Sequence, residues 1–341
     1  MKVLVTGASG FIGQEIVKEL EKNDFEVFSV AGLKSARKIS DSNSNKNKKI
    51  FFTDIANSES FSELKDLGAV DVVIHSAGLA HQFGDTKKEA FDRVNVLGTK
   101  NISNLAADLG AKHFILIGST AVYGIKPATG EKHDSSFEKF ISIDENTETV
   151  PQTLYAQSKL EAERDCKEIC ETKNIRLTIF RLAPVIGESN VGNVARLIET
   201  IRKGRFFWVG KGENYKSLIY KNDVARACVE LIGKKTPGTE IFNLAAPPVK
   251  MKEFVNEIAR LLDKKIYNFY LPKQLFESVF SLNESFLKIG KVGKIKDTIE
   301  KWLSDDVYSA AKIAEKYDFK TQTTVYEGLA KQIKANKIAD L

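Results

Sequence analysis

Tyr155 and Lys159 stand four residues apart in the stretch YAQSK, at the start of a helical pattern (LYAQSKLEAERDCKEI). Residues at i and i+4 lie on one helix face, and an ammonium beside a phenol favours the phenolate, lowering a pKa that starts near ~10. A tyrosine tuned in this way exchanges a proton near neutral pH. The spacing alone is usually a helix surface pair, so it needs support from other groups. Ser119, in FILIGSTAVYG, closes an apolar strand-like run. Ligands of doubly wound sheets sit beyond the carboxyl ends of strands, where a hydroxyl can hydrogen-bond a reacting carbonyl or alcohol. The third element is TGASGFIG, with Gly7, Gly10 and Gly13 directly after Val3-Leu4-Val5 and before a helical pattern of Ile12, Ile16, Val17 and Leu20. Strand, tight turn and helix in this order aim backbone N–H groups and the helix dipole at an anion, and glycine lets the backbone approach it. An ordinary strand-to-helix turn would carry the same glycines.

The elements that must position these groups follow from periodicity. Short apolar runs (VLVTG, VFSVAG, KIFFTD, VDVVIHSAG, KHFILIGS, RLTIFRLAPVIG) alternate with helical patterns. That alternation predicts an α/β fold, a Rossmann-like doubly wound parallel sheet. Beyond the sixth run the pattern becomes less regular, which predicts a nucleotide-binding domain over 1–182 and a smaller, mixed C-terminal substrate domain over 183–341, with segments such as 217–246 returning to the first. The polar stretch KSARKISDSNSNKNKK cannot bury a core and reads as a solvated loop. No internal repeat is present.

Composition narrows the function. Of 341 residues, 43% are hydrophobic and 28% charged, as in ordinary globular chains. The net charge of +6 is spread along the chain with acidic residues interspersed, which favours an anionic small molecule over nucleic acid as partner. Three cysteines, Cys166, Cys170 and Cys228, make no disulfide framework and no CxxC pair. His75, His81, His113 and His133 show no metal-ligand spacing, so no metal is expected. The first apolar run is too short for a secretory signal and no stretch reaches spanning length, which predicts a cytoplasmic protein. The basic amphipathic stretch LPKQLFESVFSLNESFLKIGKVGKIK reads as a helix packed on its own domain rather than on a membrane surface.

Together these motifs resemble the extended short-chain dehydrogenase/reductase family, in its NAD-dependent epimerase/dehydratase branch. TGASGFIG, VIHSAG, VNVLGT, GSTAVYG, YAQSKLEAE, RLAPVIG, SLIYKNDVARA and FNLAA have counterparts there in this order, over nearly the whole chain. The resemblance implies a catalytic trio of Ser119, polarising the reacting oxygen, Tyr155 as acid/base, and Lys159, holding the nicotinamide ribose and tuning Tyr155. It implies that Gly7, Gly10, Phe11, Ile12 and Gly13 cradle a pyrophosphate, that Asp54 and Ile55 border the adenine, and that Ala77 and Gly78 pack on a ribose. Asn95 anchors the helix near the site and Pro184 lies near the nicotinamide. NAD-preferring members carry an acid at the end of the second strand; here Ala31 stands at that place, with Lys34 and Arg37 after it. Two cations and no carboxylate suit a 2′-phosphate, which favours NADP over NAD, although loop lysines and arginines are also common on solvated surfaces.

For substrate, the resemblance implies a nucleotide sugar. Asn193 and Lys216 align with positions that contact the nucleotide diphosphate in UDP-sugar epimerases, and His81 follows the VIHSAG loop into the substrate side. Ala183 replaces an asparagine of UDP-galactose 4-epimerases. Dehydration is disfavoured because Ala121-Val122 stand where the 4,6-dehydratases have an Asp-Glu pair. Two reactions at carbon 4 remain: a 4-ketosugar reductase in polysaccharide or glycoconjugate precursor synthesis, favoured by the missing second-strand acid, and a UDP-hexose 4-epimerase with tightly held NAD. A non-catalytic cofactor-sensing protein is disfavoured by the presence of both Tyr155 and Lys159, and a lipid or steroid ketone by the polar Asn193 and Lys216. A homodimer through the helices after Asn95 and containing Tyr155 is the expected assembly.

Overall fold

The structure, a computed structural model, describes residues 1–35, 49–80, 86–124, 142–267, 270–271 and 302–339. Its centre is a sheet of seven strands: β1 (Lys2–Thr6), β2 (Glu26–Ala31), β3 (Lys49–Phe52), β4 (Val72–His75), β5 (His113–Ser119), β6 (Arg176–Leu182) and β7 (Thr239–Leu244). Their spatial order is β7-β6-β5-β4-β1-β2-β3, and every pairing is parallel. Strand residues alternate between two cores because successive side chains point to opposite faces. Val3, Val5, Val72, Ile74, Ile115, Ile117 and Phe180 pack on one side with α1 (Gly13–Lys22). Leu4, Val73, Phe114, Leu116, Leu177 and Ile179 pack on the other with α2 (Gly98–Asp108) and α3 (Leu154–Thr172). Each such side chain, fully buried, contributes roughly 1.5–3 kcal/mol.

After β6 the chain adds α4 (Asn193–Arg202), α5 (Lys221–Glu230), α6 (Met251–Leu262), α7 (Ala311–Tyr317) and α8 (Val325–Ala339). Helix α5 packs beside α1 on the first face, so Val224, Ala227 and Cys228 belong to the sheet core. A third apolar cluster gathers Val194, Ile198 and Ile201 of α4, Phe254 and Ile258 of α6, and Leu329 and Ile333 of α8 around Trp208. Cys166, Cys170 and Cys228 are free and buried. Among the described residues no helix is long and apolar enough to cross a membrane, and no three His, Cys, Asp or Glu side chains gather to hold a metal ion. Most of the basic stretch from Leu271 to Lys296 lies outside the described residues.

Two histidines are built into the sheet as neutral bases. His75 Nδ1 lies 2.6 Å from Thr6 Oγ1 and its Nε2 3.0 Å from Thr99 Oγ1. Burial, with the Lys159 charge acting the same way, holds its pKa down to about 3. His113 Nε2 meets Thr178 Oγ1 at 2.9 Å; burial first, then Arg176, also hold it to about 3. In the unfolded chain both take a proton below about 6.5. The unfolded state therefore binds more protons as the pH falls, and stability present above about 6.5 is lost progressively toward about 3. We expect the urea midpoint to fall as the pH is lowered from about 7 to about 5, and to fall less steeply in His113→Gln; equal slopes would contradict a neutral, buried His113.

Candidate active site

The glycine turn is folded tightly on itself. Gly7 has φ +70°, and a Cβ there would come 2.6 Å from Ala77 N; one on Gly13 would stand 2.1 Å from Gly7 O. Gly10 N donates to Gly7 O at 2.8 Å, and Ala8 N ties the turn to Val30 O at 3.1 Å. A side chain at Gly7 would push the turn away from the Ser76–Ala77 backbone, and one at Gly13 would push the start of α1 away from the turn. Phe11 and Ile12 follow, half-buried, with the Lys221 ammonium 5.7 Å above the Phe11 ring. This cradle, closed by glycines and opened by a helix N-terminus, fits a diphosphate.

The residues expected along the rest of the dinucleotide lie at the adjoining strand ends and the segments that follow them. Ala31 is buried at the end of β2; Lys34 is exposed in the following 3-10 turn, Leu33–Ser35, whose Ser35 hydroxyl lies 2.9 Å from that of Ser9. Arg37 lies outside the described residues. Asp54 pairs with Arg93 and accepts from Ala56 N at 3.1 Å, which fixes its turn. Ile55 packs so closely on Gly98 that a Cβ there would meet its Cδ1 at 2.7 Å. Asn95 sits in a π-helical turn, Asp92–Leu97, that precedes α2. Its Oδ1 accepts from Leu79 N at 2.7 Å, and its Nδ2 donates to Leu79 O at 3.2 Å and Ser158 Oγ at 2.9 Å. Asn95 thus clamps the Ala77–Gly78–Leu79 loop to α3.

Ser119, Tyr155 and Lys159 converge on one cavity of about 240 Å³, bordered also by Ile12, Gly78 and Pro184. Ser119 Oγ accepts from Ala121 N at 3.2 Å and is hydrogen-bonded to the Tyr155 phenol. Thr153 caps α3 by accepting from Ala156 N at 3.1 Å, which places Tyr155 in the first turn. The Lys159 ammonium donates to Ile117 O at 2.7 Å.

Burial raises the Tyr155 phenol above its ordinary value, with the Ser119 bond pulling it down and the Glu163 charge pushing it up. Tyr155 and Lys159 share a helix face, and the ammonium is held by the β5 carbonyl. Burial also lowers Lys159 itself, to about 8, with the Glu163 charge opposing.

Lys216 is not among the residues lining the cavity; it is buried and paired with Asp306 Oδ2 at 2.7 Å. Asp306 and Tyr308 line the same cavity, and no sequence motif singled them out. They arrive on a short extended segment zipped between distant parts of the chain: Ser217 N donates to Asp306 O at 2.7 Å, and Ile143 N to Val307 O at 2.8 Å. Asn193 opens α4, half-exposed, outside the cavity lining; His81 lies outside the described residues.

Comparison with known proteins agrees with this geometry. Residues 3–245 match the model of the NAD dependent epimerase/dehydratase family. The chain is 30% identical over 284 residues, 80% of its length and 76% of the relative's, to the N-acetyl-alpha-D-glucosaminyl-diphospho-ditrans,octacis-undecaprenol 4-epimerase of Escherichia coli O157:H7. It is 30% identical over 293 residues, 83% of each chain, to the UDP-glucose 4-epimerase of Vibrio cholerae. Its fold superimposes on the UDP-glucuronic acid 4-epimerase of Bacillus cereus in complex with NAD, with a TM-score of 0.74 at 20% identity over 99% of both chains. The chain therefore belongs to the NAD dependent epimerase/dehydratase family, within the extended short-chain dehydrogenase/reductases.

Proposed function

We propose that the protein is a 4-epimerase of a diphosphate-linked sugar, a UDP-hexose in the first instance, that keeps one nicotinamide dinucleotide bound through turnover. The observation that carries this reading is the convergence of Ser119, Tyr155 and Lys159 on a single cavity beside the glycine cradle. The names of the two relatives at 30% identity support carbon 4 as the position changed, and the NAD complex of the Bacillus cereus enzyme supports NAD. A bound nicotinamide supplies a hydride acceptor that becomes a donor. Tyr155 Oη takes the proton from the sugar 4-hydroxyl and later returns it, while the Ser119 hydroxyl holds the reacting oxygen in place. Lys159 is placed to hold the ribose next to the nicotinamide.

In this reading Gly7, Gly10, Phe11, Ile12 and Gly13 hold the diphosphate, Asp54 and Ile55 border the adenine, Ala77, Gly78 and Pro184 line the nicotinamide end, and Asn95 acts by fixing the loop. Asn193 and the Lys216–Asp306 pair belong to the substrate side. The enzyme works in the cytoplasm on precursors of polysaccharides or glycoconjugates. It does so as a homodimer through the helices after Asn95 and containing Tyr155, where Leu97, in the turn before α2, and Leu154, at the start of α3, remain 43% and 42% exposed.

A second reading, a 4-ketosugar reductase that draws NADPH from solution, is favoured by one observation. The end of β2 offers Ala31 and the exposed Lys34, and no carboxylate.

Denaturing the purified protein and assaying the supernatant separates the two: the epimerase should release about one equivalent of NAD, and an empty protein would favour the reductase. Tyr155→Phe should lower kcat by about a hundredfold or more while leaving cofactor binding intact, measured by turnover and by cofactor titration; full activity would refute the acid/base assignment. Lys34→Ala should weaken NADPH by about fivefold and leave NADH unchanged if a 2′-phosphate binds there; equal affinities in variant and parent would remove that site.

A further inference from the structure

A chain of buried polar side chains lies behind the reacting groups, and the function above does not use it. Glu163 follows Lys159 by four residues and Tyr155 by eight on α3, so the three share one face of the helix. Its carboxylate, 4% exposed, accepts from Arg181 Nη2 at 2.8 Å and Nε at 3.1 Å, a two-pronged contact from the neighbouring β6. It is also wedged against the strand that carries Ser119: a Cβ on Gly118 would stand 2.9 Å from Glu163 Oε1. Arg181 Nη1 goes on to donate to Tyr123 Oη at 3.0 Å, which donates to Asn243 Oδ1 at 2.8 Å. The Tyr123 ring stacks on that of Tyr308 at the cavity wall, with centroids 6.1 Å apart.

Such a pair is a poor device for stability alone, because desolvating two charges costs about as much as their attraction returns. Its position gives it another use. Among the described residues, the charged and titratable groups toward Lys159 are Tyr155 and Glu163 from its own helix, His75 from β4, Arg181 from β6 behind Glu163, and Asp306 and Tyr308 from the cavity wall. His75 is neutral, and the Asp306 charge is engaged by Lys216.

We propose that Glu163, fixed by Arg181, is a positioning residue that keeps the Lys159 ammonium charged inside the sheet edge. Burial of Lys159 drives toward the neutral amine, which is a weaker donor to Ile117 O and brings no positive charge to the cavity; the carboxylate one turn along the helix opposes that loss of charge. The inference rests on the proposed function only in taking Lys159 to work as a cation.

The test is a carbon-13 NMR titration of the full chain labelled at lysine Cε, with the Lys159 signal identified by its loss in Lys159→Met. Glu163→Gln keeps an acceptor for Arg181 and removes the charge. The Lys159 midpoint should fall by about one pH unit, making the charged fraction above it about tenfold smaller. The alkaline limb of kcat/KM should move with it, kcat falling while KM for the sugar stays. Should that variant not fold, Glu163→Asp keeps the charge but draws it back by one methylene, and a smaller shift in the same direction is expected. An unchanged Lys159 midpoint in either folded variant overturns the proposal. If the parent turns over no sugar at all, the proposed function falls, and the titration still decides the role of Glu163.

Discussion

Six parallel pairings in one sheet impose the constraint on which everything else in the molecule depends. A parallel strand can be followed by its neighbour only after the chain has crossed back over a face, so every strand ends at the same edge and releases its loop there. The glycine turn after β1, the Ala77–Gly78 loop after β4, Ser119 at the end of β5 and Pro184 after β6 are brought to one edge for this reason alone. The register is fixed by burial on both faces: slipping a strand by one residue would exchange the two cores. Site geometry and core packing are therefore a single specification.

That edge was largely legible in the sequence because local patterns carry it. The apolar runs, the glycines of the turn, the strand-end serine and the i,i+4 pair each announce themselves within a dozen residues, and the resemblance of their order to a known family extends them over the chain. Even Glu163 had a signal, since it continues the spacing of Tyr155 and Lys159 by another helical turn. What was not legible is what a side chain does once packed. Lys159 donates to a carbonyl of β5, a contact between helix and strand that no local spacing announces. Lys216, read as a cation for phosphates, has Asp306 beside it, ninety residues away in the chain. Asp306 and Tyr308 belong to no motif at all.

Electrostatically the site is more balanced than its lysines suggest. Lys216 is matched by Asp306, Lys221 by Glu15 and Glu188, and Arg181 by Glu163. Such pairing limits the net field that these side chains present to an anion. Lys159 differs from these: it is buried, donates to a backbone carbonyl and has Glu163 one helical turn along.

The extended segment from Asp306 to Ser309 also bears on the order in which the molecule is assembled. It completes the cavity wall by bonding to Ser217 and Ile143, which lie about 90 and 160 residues earlier. Closing loops of that length costs entropy that is recovered only once both ends are in place, so these contacts form late. On the ribosome, which releases the N-terminal part first, Ser119, Tyr155 and Lys159 can dock on six strands of the sheet long before residue 306 has been synthesised. For that interval the nascent chain carries its reacting groups on an open ledge, and the pocket that makes them selective is among the last parts of the protein to exist.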